Sequence, residues 1–117
     1  MKFSSSLKKN NIFRRLYASK GVANSYFVLY ARPNRSGHNY VGITVSKKLG
    51  HAVVRNRTRR RIREIYRLHE EAFLPGWDIV VVARTRAVDA EFPKLISAFL
   101  SLAKKSGLLS QEEEVLP

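Results

Sequence analysis

The chain has 117 residues, which fits a single domain, and 44% of them are hydrophobic, so we expect a packed core. It contains no cysteine, which excludes disulfide frameworks and thiolate metal sites. Lys and Arg number 22 against 9 Asp and Glu, giving a formal net charge of +13 at pH 7. This excess predicts a polyanionic partner, either a nucleic acid or an anionic membrane.

The first predicted element is a helix over residues 8–17, with Asn10 available as its N-cap. Phe13 and Tyr17 form an i,i+4 aromatic pair on this helix, among basic residues, and Tyr30 lies on the strand that follows. Aromatic rings beside cations suit the stacked bases of single-stranded nucleic acid. The alternative is that the three rings are core residues, and spacing alone favours it.

Two strands are predicted next, over residues 22–32 and 40–46, with a turn cluster at residues 33–37 between them. We expect the second strand to run antiparallel to the one before it. Lys47 and Lys48 follow the second strand, just before the next helix. Free backbone amides and the helix dipole favour phosphate at such a junction, so this junction is a candidate anion site.

A strongly basic helix is predicted over residues 55–73. It carries seven arginines against one early acid, Glu64: Arg55, Arg57, Arg59, Arg60, Arg61, Arg63 and Arg67. A solvated helix face is the alternative, but such a face normally interleaves Glu with Lys. Like charges repel unless a counter-charge arrives, and arginine binds phosphate in a bidentate geometry. We therefore interpret the helix as a phosphate-binding surface.

Two further features belong to this helix. Asn56 either caps it or bonds the edge of a base, and the sequence leaves both roles open. The helix also contains the boundary between a basic and an acidic part of the chain. Residues 1–63 hold sixteen Lys or Arg and no acid, whereas residues 64–117 hold six basic and nine acidic residues. A surface built only for solubility mixes the two signs.

The remaining pattern predicts an apolar strand over residues 77–84, either central or buried on both faces, and a last helix that Asp89 caps and Gly107 ends. We assign Trp77, Phe92 and Phe99 to the core, and His69 to a packed position on the basic helix. The element order α-β-β-α-β-α indicates an α+β fold with helices packed on a small, mostly antiparallel sheet. We expect one RNA-binding domain over residues 1–117, with Gln111–Pro117 as a flexible acidic tail.

Catalysis by the chain itself has little support. No zinc-protease histidine pair, P-loop or dinucleotide-binding glycine motif occurs. A metal-dependent nuclease needs clustered carboxylates, and no acid precedes Glu64. No apolar run approaches the roughly 20 residues of a membrane span, and no secretory signal is present, so we expect a soluble cytoplasmic protein.

Two segments together resemble the signature of the bacterial ribonuclease P protein subunit. They are Gly42-Ile43-Thr44-Val45-Ser46-Lys47-Lys48-Leu49-Gly50 and Ala52-Val53-Val54-Arg55-Asn56-Arg57-Thr58-Arg59-Arg60-Arg61-Ile62-Arg63-Glu64. That family has an R-N-R motif that enters a basic helix after a V-S-K-K strand end. The segments Phe27–Tyr30 and Asp78–Arg84 also fit, and the resemblance extends from about residue 7 to residue 109.

The resemblance implies a non-catalytic subunit of an endoribonuclease. In that enzyme a catalytic RNA, with Mg²⁺, removes the 5′ leader of precursor tRNA, and the protein binds both the RNA and the leader. The implied fold adds one short strand, giving α-β-β(-β)-α-β-α, and a left-handed crossover at the R-N-R helix. No protein metal site, membrane or protein partner is implied.

The resemblance also implies roles for particular residues. Phe13, Tyr17 and Tyr30 match an aromatic cleft that holds the single-stranded leader, which favours stacking over the core interpretation. The polar residues of this cleft are Arg55, Asn56 and Arg63. The wider RNA-binding surface comprises Lys47, Lys48, Arg55, Asn56, Arg57, Arg59, Arg60, Arg63 and Arg67.

Two other function classes compete with this interpretation. A ribosomal or RNA-chaperone protein would share the size and charge, but it would have no reason to prefer precursor tRNA over mature tRNA. An autonomous nuclease would need a carboxylate cluster, for which Asp78 and Asp89 are the only candidates that we weigh.

Overall fold

The computed structural model describes residues 1–110 and shows five strands and four α-helices. The strands are β1 Ser4–Ser6, β2 Val22–Ala23, β3 Phe27–Pro33, β4 Asn39–Thr44 and β5 Trp77–Ala83. The helices are α1 Asn10–Tyr17, α2 Ala52–His69, α3 Thr85–Val88 and α4 Phe92–Lys105. Short 3₁₀ turns precede and follow α2, at Lys47–Leu49 and Glu70–Ala72. The predicted tail at residues 111–117 lies outside the described residues.

The five strands form one sheet in the order β1-β4-β5-β3-β2. The central strand, β5, pairs in parallel with β4 and antiparallel with β3. Its middle residues Ile79, Val80 and Val81 are completely buried. An apolar strand buries more of its surface at the centre of a sheet than at an edge, so the central position stabilises it most.

The two faces of the sheet carry helices of different character. On one face α2 and α4 cover the main core, in which Leu29, Ile62, Val81 and Phe99 are at most 1% exposed. On the other face α1 covers a smaller cluster around Leu16 and Val80. Because this smaller cluster leaves the rest of the second face uncovered, α1 forms one wall of a surface cleft.

A buried polar network attaches the N-terminal strand to this framework. The Ser4 and Tyr66 hydroxyls are 2.7 Å apart, and Asn39 Nδ2 donates to Tyr66 Oη at 3.1 Å. Burial raises the pKa of Tyr66, although its hydrogen bonds to Ser4 and Asn39 act in the opposite direction. Asn39 Oδ1 accepts the backbone N–H of Trp77 at 2.8 Å, so one side chain links β4, α2 and the start of β5.

The α+β class and the helix-on-sheet packing are confirmed, but the pairing of the strands differs from the prediction. The sheet is mixed, with two parallel and two antiparallel pairings. β4 runs antiparallel to β3, as predicted, but the two strands are not paired with each other because β5 lies between them. The order also begins with β1, which the sequence analysis did not predict. The crossover from β4 through α2 to β5 joins parallel neighbours, and its left hand stays a prediction.

The strand predicted over residues 22–32 is in fact a hairpin of β2 and β3. Asn24 causes the turn, because its Oδ1 accepts the backbone N–H groups of Tyr26 and Phe27, each at 2.9 Å. The backbone N–H of Asn24 also donates to the Phe27 carbonyl at 3.0 Å. The asparagine side chain competes in this way with the hydrogen bonds of a strand. The turn is hard to recognise in the sequence because the residues on both sides of it are β-branched and aromatic.

The helix boundaries are predicted less well than the helices themselves. α2 ends at His69, and a 3₁₀ turn continues only to Ala72, so the predicted end at residue 73 is wrong. Asn10 is the first residue of α1 rather than its cap, and Asp89 follows the short α3 while Glu91 precedes α4. The predicted stop at Gly107 is confirmed, since its φ of 74° permits two closing bonds. Leu108 N–H donates to Ala103 O at 3.0 Å and Gly107 N–H to Lys104 O at 3.1 Å, which is a Schellman motif.

Candidate nucleic-acid interface

Three aromatic rings gather between α1 and the sheet. The Phe13 and Tyr17 ring centroids are 6.2 Å apart, and the Tyr17 and Tyr30 centroids are 5.4 Å apart in an edge-to-face arrangement. Tyr17 is 42% exposed, whereas Phe13 and Tyr30 are half-buried. The rings therefore form a surface that a base could contact, and the core interpretation is wrong for Tyr17. We call this set of Phe13, Tyr17 and Tyr30 the ring cleft.

Glycine backbone forms the floor of the ring cleft. A Cβ atom on Gly42 of β4 would stand 2.5 Å from Phe13 Cζ, and one on Gly21 would stand 2.8 Å from Tyr30 Cε1. Any larger residue at either position would push its ring outward. Thr44, the next residue on the same face of β4, holds the exposed ring, since its hydroxyl is 2.7 Å from Tyr17 Oη.

One flank of α2 shares a pocket with Phe13, at the edge of the ring cleft. Arg59 and Arg63 follow each other by one helical turn, and both line a pocket of about 140 Å³ with Phe13, Gly42 and Ile43. Both guanidinium groups lack an acidic partner among residues 1–110. A planar base above Phe13 and a phosphate beside these arginines would occupy one continuous site.

The opposite flank of α2 is structural. Arg61 Nη2 donates to the backbone carbonyl of Ala90 at 2.5 Å, and its guanidinium lies 5.9 Å from the centroid of the Phe92 ring. Burial lowers the pKa of Arg61, and the neighbouring charge of Arg57 acts in the same direction. Of the seven arginines, this one joins α2 to the start of α4.

The R-N-R motif lies within the first turns of α2. Arg55 Nε donates to the Gly50 carbonyl at 3.2 Å, which holds the helix against the 3₁₀ turn of Lys47 and Lys48. Because α2 begins at Ala52, before the predicted start, Asn56 is not its N-cap. Asn56 Oδ1 instead accepts a hydrogen bond from Arg59 Nη1 at 3.1 Å, on the exposed side.

The other predicted RNA-binding cations lie along the exposed surface of α2 and the turn before it. Lys47, Lys48, Arg57 and Arg60 are exposed. Arg67 differs, because its Nε and Nη2 atoms donate to both oxygens of Glu64, at 2.9 and 2.6 Å. This hydrogen-bonded pair stabilises both charges, so the pKa of Glu64 is lowered and the pKa of Arg67 is raised. Arg67 is the only predicted RNA ligand with an ion-pair partner in the described part of the chain.

A comparison against protein families gives a match over most of the chain. The family model described as Ribonuclease P matches residues 1–107. The chain belongs to the ribonuclease P protein family. This result confirms the resemblance drawn from the V-S-K-K and R-N-R segments.

Known members of the ribonuclease P family are similar along nearly the whole chain. The ribonuclease P protein component of Alkaliphilus oremlandii is 42% identical over 111 residues, which cover 94% of this chain and 97% of the relative. The solved RNase P protein of Staphylococcus aureus superposes with a TM-score of 0.81 at 37% identity, covering 90% of this chain and 97% of that one. For the RNase P protein from Thermotoga maritima the TM-score is 0.79 at 30% identity, with 86% and 96% covered.

Sequence analysis missed three residues that shape the cleft: Gly42, Gly21 and Thr44. A signal existed for two of them, since Gly42 and Thr44 alternate with the apolar residues of β4 and therefore share its opposite face. A glycine next to a threonine on a strand face indicates a shallow surface on which a ring could lie. Gly21 gave no such signal, because a glycine shortly after a helix is an ordinary helix stop.

The described residues offer no obvious protein site for a metal ion. Within residues 1–110, no three side chains of the His, Asp or Glu type gather as ligands. The role of Mg²⁺ stays a prediction that concerns the RNA. No helix in the same part of the chain has the length and apolar composition needed to cross a membrane.

Proposed function

We propose that this chain is the protein subunit of a ribonuclease P holoenzyme, and that it binds the catalytic RNA and the single-stranded 5′ leader of precursor tRNA. In this proposal the RNA subunit hydrolyses the phosphodiester with Mg²⁺, and the protein supplies substrate affinity in the cytoplasm. Membership of the ribonuclease P family supports the first part. The geometry of the ring cleft supports the second part.

The observation that carries leader binding is that stacking and charge meet in one place. Phe13 lines the same pocket as Arg59 and Arg63, and Tyr17 exposes its ring beside Phe13. Bases of single-stranded RNA stack on aromatic rings while cations contact the phosphates. Double-stranded RNA could not insert its paired bases between these rings, so the cleft favours an unpaired segment such as the leader.

The wider basic surface is suited to a large structured RNA. The exposed cations of α2 and of the turn before it point away from the main core, and they comprise Lys47, Lys48, Arg57 and Arg60. Contacts of this type recognise phosphates and are independent of base sequence. We assign this surface to the catalytic RNA and the ring cleft to the leader.

Reconstituted cleavage of a 5′-extended precursor tRNA tests the proposal. At low-millimolar Mg²⁺ the chain alone, the cognate catalytic RNA alone and their mixture are compared. We expect cleavage at the mature 5′ end by the mixture, weak cleavage by the RNA alone and none by the protein alone. If the protein binds RNA tightly but adds nothing to cleavage, it is a structural RNA binder. Cleavage by the protein alone, abolished by mutation of Asp78 or Asp89, would show an autonomous nuclease.

A matched pair of variants separates leader binding from binding of the catalytic RNA. Tyr17→Ala removes a stacking ring, and we expect it to weaken binding of precursor tRNA by the holoenzyme about fivefold or more, since stacking contributes about 1–3 kcal/mol per base. Tyr17→Phe keeps the ring, loses only the exposed bond to Thr44 and is expected to bind like the wild type. Mature tRNA, which has no leader, provides the second control, and equal losses for both tRNAs would contradict leader binding.

A further inference from the structure

A second pocket lies away from the ring cleft, at the N-terminal end of α1. Its volume is about 520 Å³, and it opens between the start of α1 and the end of the sheet where β3 ends and β4 and β5 begin. Its walls include Lys8, Lys9, Arg15, Arg32, Tyr40 and Asp78. A volume of this size accommodates a small ligand. None of the ring-cleft residues lines it.

The strand register places three of these residues side by side. Asp78 of β5 is paired with Arg32 on β3 and with Tyr40 on β4. Register partners point to the same face of a sheet, so an acid lies between a cation and an aromatic ring. This row forms the base of the pocket, while Lys8, Lys9 and Arg15 approach it from the side of α1.

The cations of the pocket are available to a ligand. All four of them, Lys8, Lys9, Arg15 and Arg32, are exposed, and none forms an ion pair with an acid in the described part of the chain. Four unpaired positive charges around one cavity attract a phosphorylated ligand.

Asp78 makes this pocket unlike a simple phosphate site. Its side chain is 7% exposed, and its carboxylate accepts a hydrogen bond from Asn34 Nδ2 at 3.0 Å. One such bond uses only part of the acceptor capacity of a carboxylate, which has about four lone-pair positions. Because a carboxylate repels phosphate, the ligand has to bring N–H donors to Asp78 and negative charge to the cations.

We propose that this pocket binds a guanosine nucleotide. Among the four bases, guanine alone presents two adjacent N–H donors, at N1 and N2, which match the two oxygens of one carboxylate. Tyr40 is 39% exposed and provides a ring on which the base stacks. The His38 ring, which is 2.7 Å from the Ser5 hydroxyl, supports Tyr40 with ring centroids 4.9 Å apart. The phosphate then lies among the four cations.

Nuclear magnetic resonance titration of the full chain tests the proposal, because the protein is only 13.4 kDa. The probes are the 5′-monophosphates of guanosine, adenosine, cytidine and uridine. We expect guanosine monophosphate to shift the amide signals of Arg32, Tyr40 and Asp78, with an affinity about tenfold above that of uridine monophosphate, as for other bidentate base contacts. Equal shifts with all four nucleotides would show a general anion site and overturn the proposal, as would no shifts at these amides.

A second arm distinguishes free nucleotide from RNA as the source. An oligouridine with one internal guanosine is compared with oligouridine of the same length. Once the monophosphates show the guanosine preference, tighter binding of the guanosine oligomer as well identifies an RNA residue, whereas a preference seen only with the monophosphate identifies free nucleotide. Both outcomes support a guanosine site, and no preference in either arm overturns it.

Substitutions test which side chains cause the preference for guanosine. Asp78→Asn replaces one acceptor by a donor, so we expect the affinities for the guanosine and uridine nucleotides to become equal. Since Asp78 is buried, the exposed variant Tyr40→Leu is a second test that leaves the core intact. We expect it to lower the affinity for guanosine monophosphate about fivefold or more. Lys94→Gln on α4 is the control. Unchanged preference in a folded Asp78→Asn, or unchanged affinity in Tyr40→Leu, contradicts the proposal.

Discussion

Gly42 determines how closely Phe13 approaches the sheet, and this contact gives a test at the level of one atom. In Gly42→Ala the new Cβ would lie 2.5 Å from Phe13 Cζ, so the ring has to move out of the cleft. We expect binding of single-stranded RNA, measured by fluorescence anisotropy, to fall about fivefold or more. Overpacking costs about 1–2 kcal/mol of unfolding free energy, while alanine suits a strand better than glycine does, so the protein stays folded.

Gly37→Ala is the matched control for that substitution, because no atom lies within 4 Å of the position that its Cβ would take. Its RNA affinity and its unfolding free energy in urea are expected to stay close to those of the wild type. If Gly42→Ala binds RNA as the wild type does, the position of the Phe13 ring does not matter for binding.

At the residue scale, the sequence indicated the candidate side chains but not what they contact in the fold. The aromatic spacing of Phe13 and Tyr17 and the arginine run were both visible. The partner of Asn56, which is Arg59, depends on α2 beginning at Ala52 rather than at Arg55. Arg61 had the same local sequence as its neighbours, and only the packing of α4 shows that it bonds to Ala90.

At the scale of elements, a buried carboxylate just after α2 holds the residues that lead into β1. Glu70 is 4% exposed, and its oxygens accept the backbone N–H groups of Lys2 at 2.8 Å and Phe3 at 3.2 Å. Burial acts to raise the pKa of Glu70, but the hydrogen bonds outweigh it and the pKa is lowered from its ordinary value of 4.5. The ionised form is therefore the one that stabilises the fold.

Glu70→Gln tests this attachment of β1. Because the folded pKa is lowered, the contribution of Glu70 is present above the ordinary pKa of 4.5 and is lost as pH falls through the folded value. We expect urea denaturation to show the variant about 1–2 kcal/mol less stable at pH 7, with the difference shrinking as the solution is acidified below that ordinary value. Glu71→Gln, at an exposed ion pair with Lys2, is the control and is expected to change little. A difference that is independent of pH would mean that Glu70 acts through packing alone.

The pairing of the strands shows why the elements were easier to predict than their arrangement. Two strands separated by the turn at residues 33–37 predict a hairpin from local signals. Placing β5 between β3 and β4 instead covers both edges of the strand that contains Ile79 and Val81. This gain in burial comes from contacts distant in sequence, so no local pattern reports it. β1 is likewise a run of three serines whose strand exists only through β4 and Glu70.

At the scale of the whole molecule, the positive charge lacks internal compensation. Of the sixteen cations in residues 1–63, Lys2 is the only one with a carboxylate at ion-pair distance within the described residues. The positive charge of α2 and of the turn before it is therefore available to an external anion. Binding of RNA to such a surface releases counterions and weakens steeply with salt.

The salt dependence of RNA binding measures how many of these cations contact phosphate. For each contact with a single strand, the slope of log K against log salt concentration changes by about 0.7. Replacing Arg59 and Arg63 together by Gln should then flatten the slope by about 1.4 for an RNA that carries a single-stranded leader. The matched pair Lys94→Gln and Lys105→Gln on α4 removes the same charge from the opposite half of the chain, and its slope is expected to equal that of the wild type. Equal flattening by both pairs would mean that net charge, rather than the surface beside the ring cleft, attracts the RNA.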